Sequence, residues 1–260
     1  MPSATNLTPE SRFMGLFVGP TKSGKTVAEC SFPGPIKVFD FDGRIRGILG
    51  AGWIDKSQIE YTYYPPKTGA NQKPVYQTVN DDMEALLVQV SNGRCPYKTI
   101  VLDSLTSETF ALLSDAVSLT HAEGKGKRLG TVNMAGPEDY GFEATNTYNI
   151  LSFLRSLPLN VIVSAHIIDR FGKKDPSDKY SESIVVGEKL SVRDKIGENI
   201  GIYFDHCFRF DKEMVAGQER YTVQFRSEIA GTSFAKLPNG KVDITGKPFY
   251  PYLIELANKV

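Results

Sequence analysis

The chain has 260 residues, 41% of them hydrophobic, and its 30 basic and 30 acidic side chains sum to a formal charge of zero. That is enough apolar material for a full core, and it excludes a polycation, so any nucleic-acid surface has to be local. No run reaches the ~18 apolar residues of a membrane span, and the start Met1-Pro2-Ser3-Ala4-Thr5-Asn6 lacks the basic and apolar regions of a signal peptide.

Cys30, Cys95 and Cys207 lie too far apart in sequence for a metal or redox pair, so reduced thiols in a soluble cytoplasmic protein with no membrane contact are expected. Residues 1–12 are polar and read as a flexible N-terminal arm, and 13–260 as a single domain. Phe13 to Val18 is an apolar run of strand length. It leads into Gly19-Pro20-Thr21-Lys22-Ser23-Gly24-Lys25-Thr26, a phosphate-loop (Walker A) pattern, and Thr26 to Cys30 reads as the first turns of a helix. A strand, a glycine loop and a helix in that order aim backbone N–H groups and the positive end of the helix at phosphate oxygens. Lys25 would then reach the β- and γ-phosphates of a bound nucleotide, and Thr26 would place its hydroxyl on Mg²⁺.

Pro33 and Pro35 stop that helix early, and Ile36 to Gly43 reads as a strand ending in the carboxylates Asp40 and Asp42. Ligands sit beyond the carboxyl ends of parallel strands, so at least one of these acids is a candidate for handling water or metal. Residues 59–64 form a further short strand, followed by a loop from Pro65 to Pro74. Asn80 suits the N-cap of a helix carrying Met83, Leu86, Leu87 and Val90. Thr99 to Ser104 is an apolar strand ending in Asp103, the Walker B arrangement, whose carboxylate supports Mg²⁺.

A helix from about Leu105 to Leu119 gives way to a long glycine- and lysine-containing segment, 121–137, with no packing pattern. A helix over 140–157 precedes a strand, Asn160 to Ala165, that ends at His166. There a side chain is placed to sense a γ-phosphate or simply to hydrogen-bond at the strand end. A second polar, basic loop covers 169–186, a helical stretch follows Arg193, strands are expected at 203–210 and 221–226, and a loop-rich end closes the domain.

In this order the motifs resemble a RecA-type P-loop ATPase core. The Phe39-Asp40-Phe41-Asp42-Gly43 strand end and Val163-Ser164-Ala165-His166 are similar, more narrowly, to the phage-encoded RecA-like single-strand annealing proteins. The resemblance implies an α/β fold with a mainly parallel twisted sheet flanked by helices and a β-rich C-terminal part. It implies a Mg²⁺-dependent ATPase that assembles on single-stranded DNA, self-associates and works in annealing or recombination, with a single-strand-binding protein as a further partner.

Asp42 falls where such proteins carry the glutamate that activates water, one methylene shorter here. His166 falls at their polar sensor. The loops at 121–137 and 169–186 fall at their DNA-binding loops, with Lys125, Lys127, Arg128, Arg170, Lys173 and Lys174 as phosphate contacts and Phe171 as a stacking residue. Glu123, Asp169, Asp175 and Asp178 dilute that charge. Arg226 and Lys236 are candidates for a basic residue supplied by a neighbouring protomer. Two rivals stay open: a small-molecule kinase, which would need more arginines than Arg128 in its lid, and a nucleotide-stabilised structural oligomer, which the shortened Asp42 favours.

Overall fold

Strand β1, Met14–Gly19, alternates its side chains between two buried faces. Met14, Leu16 and Val18 join one core layer, and Phe17 joins the other together with the preceding Phe13. A strand apolar on both faces belongs in the middle of a sheet covered by helices on each side. The computed structural model describes residues 12–66, 72–130, 132–174, 177, 182–234 and 236–259. Apart from Arg12, the expected N-terminal arm lies outside them.

The other elements follow in chain order. Helix α1, Lys25–Glu29, leads to β2, Ile36–Asp40, and β3, Ile59–Tyr63; α2, Val75–Ser91, leads to β4, Thr99–Asp103. Then come α3, Leu105–Ala122; the short strands β5, Lys127–Leu129, and β6, Val132–Met134; and α4, Pro137–Ser156. Strands β7, Asn160–Lys173, and β8, Ser183–Leu190, precede α5, Asp194–Asn199. The chain ends with β9, His206–Val215; β10, Gln218–Gln224; β11, Gly231–Thr232; β12, Lys241–Asp243; and α6, Phe249–Asn258.

Among the described residues the main sheet has ten strands in the order β12-β10-β9-β1-β7-β4-β2-β3, with β11 on β9 and β8 on β7. The run from β9 to β3 is parallel, and β10, β11, β12 and β8 add antiparallel pairs. β7 lies between the loop-bearing β1 and the Asp-ended β4. That order, with its β-rich C-terminal extension, makes the fold a RecA-like α/β core. Helices α2, α3 and α4 cover the Leu16 face, and α1 and α6 cover the Phe17 face, where Phe17, Phe208, Phe210 and Phe249 pack ring to ring.

Four details differ from the sequence expectation. Helix α2 starts at Val75, behind an extended Pro74, and Asn80 is an interior position. Val75, Val79, Met83 and Leu86 already form a buried stripe from the first turn, and the Tyr76 N–H donates to Asp115 on α3 at 2.9 Å. The segment 121–137 is not structureless: α3 runs on to Ala122, and β5 and β6 pair as a hairpin. The described residues of 169–186 include an arm in which β7 continues beyond its pairing with β1 and pairs with β8. The loop-rich end contains the amphipathic α6, with Phe249 and Leu253 buried. Among the described residues no helix is long and apolar enough to cross a membrane.

Glu108 on α3 is fully enclosed and accepts a hydrogen bond from the Thr147 hydroxyl of α4 at 3.2 Å. Burial pushes its carboxyl up to about 8, with Thr147 opposing the rise and Glu143 adding to it. In the unfolded chain the same group ionises near 4.5. The stability it contributes is therefore intact below that pH and lost as pH rises towards 8, by about 1.4 kcal/mol per pH unit at most and a few kcal/mol in all. Glu108→Gln keeps an acceptor for Thr147 and removes the titration. We expect it to raise the melting temperature at pH 8 well above wild type, with little change at pH 5. Parallel melting curves for the two proteins across that range would contradict the assignment.

Candidate functional site

Parallel register assembles the site. Gly19 pairs with His166 and Asp40 with Asp103, so the ends of β1, the sheet-paired part of β7, β4 and β2 stop at one level. With Leu102 opposite Val163, Asp103 comes beside Ser164, whose hydroxyl donates to Asp103 Oδ1 at 2.6 Å. Asp103 Oδ2 accepts from the Thr26 hydroxyl at 2.7 Å, joining the Walker B strand end to the phosphate loop.

Two glycines of the loop are required by its geometry. A Cβ on Gly19 would fall 2.2 Å from the Phe210 carbonyl oxygen, and Gly24 has φ 89° with the Tyr221 ring close above it. Gly24 is also the residue from which α1 starts. The Lys25 ammonium is buried against the loop, donating to the carbonyls of Gly19 at 2.9 Å and Pro20 at 3.0 Å. Burial lowers its pKa, while Glu29, Asp103 and Asp42 work in the other direction. Glu29, wholly enclosed behind the loop, has its carboxyl raised well above the usual range, first by burial and then by Asp103.

The two acids after β2 separate cleanly. Asp40 accepts from the backbone N–H groups of Gly43 at 2.7 Å and of Arg44 and Ile45 at 3.3 Å, so its carboxylate anchors the following turn. Asp42 faces the loop. It accepts from the hydroxyls of Ser104, at 2.9 Å, and Ser107, and from His166 Nε2 at 3.0 Å. Burial pushes the Asp42 carboxyl up, but the His166, Ser107 and Ser104 donors outweigh it and hold the group at about 2. His166 Nε2 faces Asp42 while its Nδ1 lies 3.5 Å from Lys25 Nζ, so one ring touches both the carboxylate and the ammonium. Asp42, His166 and Lys25 thus form a continuous line of contacts from the end of β2 to the phosphate loop.

The loop opens into a cleft of about 560 Å³. It is lined by Lys25, Thr26, Asp42, Asp103 and His166 and by the apolar Val27, Ala51, Trp53, Ile244 and Phe249. Trp53, the single tryptophan, and Tyr221 are lining residues that the motifs did not indicate. The signal for Trp53 was its place in the segment after Asp42. Lys212 and Lys247 also line the cleft. Thr26 and Asp103 offer hard oxygen donors, which suit Mg²⁺. Among the described residues no group of three or more His, Cys, Asp or Glu could hold a metal by itself. Phosphate oxygens and water would have to complete the shell, which is how Mg²⁺ is usually bound.

None of the candidate DNA contacts lines this cleft. Lys127 and Arg128 are exposed on β5, and Arg170 and Lys173 on the outer part of β7. Lys125 is paired with Glu123 at 2.8 Å, and Lys174 with Glu182 at 3.7 Å. Phe171 is 63% exposed and Leu129 70% exposed, so each arm presents an apolar side chain beside its cations. Asp169 is exposed on β7, while Asp175 and Asp178 lie outside the described residues. Arg226 donates to the Phe234 carbonyl at 3.3 Å and Lys236 is exposed; neither lines the cleft of its own protomer.

Sheet order, phosphate loop and the Asp103 strand end together define the chain as a RecA-like P-loop fold. No protein-family model and no curated protein matches it. Among solved structures it is similar to a KaiC-like protein from the hyperthermophilic archaeon Pyrococcus horikoshii, 14% identical over 89% of this chain and 88% of that one, with a TM-score of 0.45. The fold class rests on the topology and loop geometry themselves.

Proposed function

We propose that this chain binds ATP with Mg²⁺ at the phosphate loop, hydrolyses it, and couples turnover to self-assembly on single-stranded DNA for annealing or recombination. The observation that carries the reading is the unbroken contact line Asp42–His166–Lys25 beside the Thr26–Asp103 pair. A phosphate loop supplies binding but no group to orient water, and here such a group stands at its mouth. Lys25 and the loop amides hold the phosphates. Thr26 and Asp103 would hold Mg²⁺, which would supply positive charge against the phosphates. The apolar residues lining the cleft take the base, with Trp53 as the largest of them.

In the hydrolytic step the water oxygen bonds to the terminal phosphorus while the bridging P–O bond breaks. The bond pair leaves on the ADP oxygen, and a water proton passes to a phosphoryl oxygen. Asp42 orients that water, and His166, touching both Asp42 and Lys25, reports whether the terminal phosphate is present.

The two arms support the DNA part of the reading. Exposed cations beside an exposed Phe171 match the way single strands are gripped, by phosphate contacts plus base stacking. The test is ATP hydrolysis with and without single-stranded DNA at low and moderate salt. Stimulation that fades with salt is expected. In Lys127→Glu/Arg128→Glu, basal hydrolysis should stay at the wild-type level, while DNA affinity drops and its salt slope falls by roughly 0.7 per lost phosphate contact. Turnover indifferent to DNA in the wild type would remove the DNA reading. Phosphate transfer to an added acceptor would favour a kinase instead.

A further inference from the structure

The turn after β2 does more than carry Asp42. Its geometry is set by the 1%-exposed Asp40, whose carboxylate binds three successive backbone N–H groups, including that of Arg44. Gly43, at φ 66°, lies against the Tyr63 ring, and Ile45 is buried directly after. The backbone of Arg44 is therefore fixed on both sides while its side chain is exposed at the rim of the cleft, two residues from Asp42.

The other cations lining this cleft differ in how they are engaged. Lys25 is turned into the loop carbonyls. Lys212 is paired with Glu219, and Lys247 donates to the Asp243 carbonyl at 3.2 Å and lies over the Tyr252 ring at 4.4 Å. Lys22 sits in the loop itself, at φ 66°. Arg44 has no side-chain hydrogen bond or ion pair among the described residues, and it lines the same cleft as Lys25 and Asp42, two residues along the chain from Asp42. Its charge already acts on the Lys25 ammonium, after burial and the nearby acids.

Resting on the ATP reading above, we propose that Arg44 is an arginine supplied in cis to the terminal phosphate, contacting its oxygens as negative charge develops there. A guanidinium suits this work because it is always charged and presents paired donors that match phosphate oxygens. Each protomer then carries its own charge-stabilising arginine, and chemistry does not wait for a basic residue from a neighbour. Asp40 becomes a positioning residue for Arg44, which gives the paired acids of this strand end two separate tasks.

The experiment compares wild type, Arg44→Ala and Arg44→Lys in two measurements. The first is affinity for ADP and for a slowly hydrolysed ATP analogue, and the second is ATP turnover per protomer over a wide range of protein concentration. Arg44 is exposed, so matching melting curves will show that the fold is kept. In Arg44→Ala the preference for the triphosphate over ADP should disappear, ADP affinity should change less than threefold, and kcat should fall by roughly 10²-fold or more, with Arg44→Lys in between. Wild-type turnover per protomer should not fall on dilution. Unchanged preference and turnover in Arg44→Ala, with wild type binding normally, overturn the cis arginine and leave the ATP reading intact. Turnover that is lost on dilution while nucleotide stays bound also overturns it, in favour of a residue from a neighbour. A wild type that binds neither nucleotide overturns both readings together.

Discussion

Lys25→Ala should lose nucleotide binding by ~10²- to 10³-fold and turnover below detection. Lys25 is 5% exposed and lies in the loop, so a phosphate bound there would meet its ammonium in a place largely shielded from water. Removing one partner of such a charged, desolvated contact costs about 3–5 kcal/mol, and each 1.4 kcal/mol is a factor of ten in affinity. Arginine should not rescue the loss, since its planar fork is larger than the ammonium and the Gly19 and Pro20 carbonyls that receive it are spaced for a compact donor. Titration calorimetry with ATP and Mg²⁺, followed by a phosphate-release assay, reads both effects. Wild-type binding and hydrolysis in Lys25→Ala would end the nucleotide proposal.

The strand ends were legible in the sequence because apolar runs terminating in Asp40, Asp103 and His166 are local patterns, and parallel pairing then has little choice but to gather them. What stayed hidden was set by tertiary geometry. Nothing in Phe39-Asp40-Phe41-Asp42 says which acid turns inward; that follows from the backbone N–H groups of Gly43, Arg44 and Ile45 closing on Asp40. Asn80 looked like a helix cap because capping chemistry is local, yet the buried stripe from Val75 onward and the Asp115 bond to Tyr76 start α2 earlier. The hairpins β5–β6 and β7–β8 were unreadable for a related reason. Their strands leave the core, so their side chains do not alternate between buried and exposed, and the period-2 pattern that reveals a strand is missing. Trp53 and Tyr221 reach the cleft from segments far apart in sequence, and only the fold brings them over the same loop.

The second large effect is expected at Asp42. In Asp42→Asn, kcat should fall by roughly 10²-fold, the cost of a misplaced reactant, while ATP affinity stays within a few-fold of wild type. The geometry explains the split, because Asp42 touches the phosphate side of the site only through His166, whereas Lys25 and Thr26 belong to the loop itself. The same contacts define what kind of group Asp42 is. A carboxyl held at about 2 by three donors is a weak base, so in the proposed reaction its part would be to fix the direction of the attacking water, the proton going to the phosphoryl oxygens. Its folded pKa lies below the unfolded 3.8, so the stability it contributes is present above that pH and lost only as pH falls through about 2. Between pH 5 and 9 Asp42 should therefore add no limb to the pH profile of kcat. Asp42→Glu decides whether length matters. If the shorter side chain is matched to the Ser104, Ser107 and His166 donors, the added methylene pushes the carboxylate out of register and lowers kcat. If Asp42→Glu turns over faster than wild type, the water lies beyond the reach of aspartate, and the shorter acid limits the rate at this strand end.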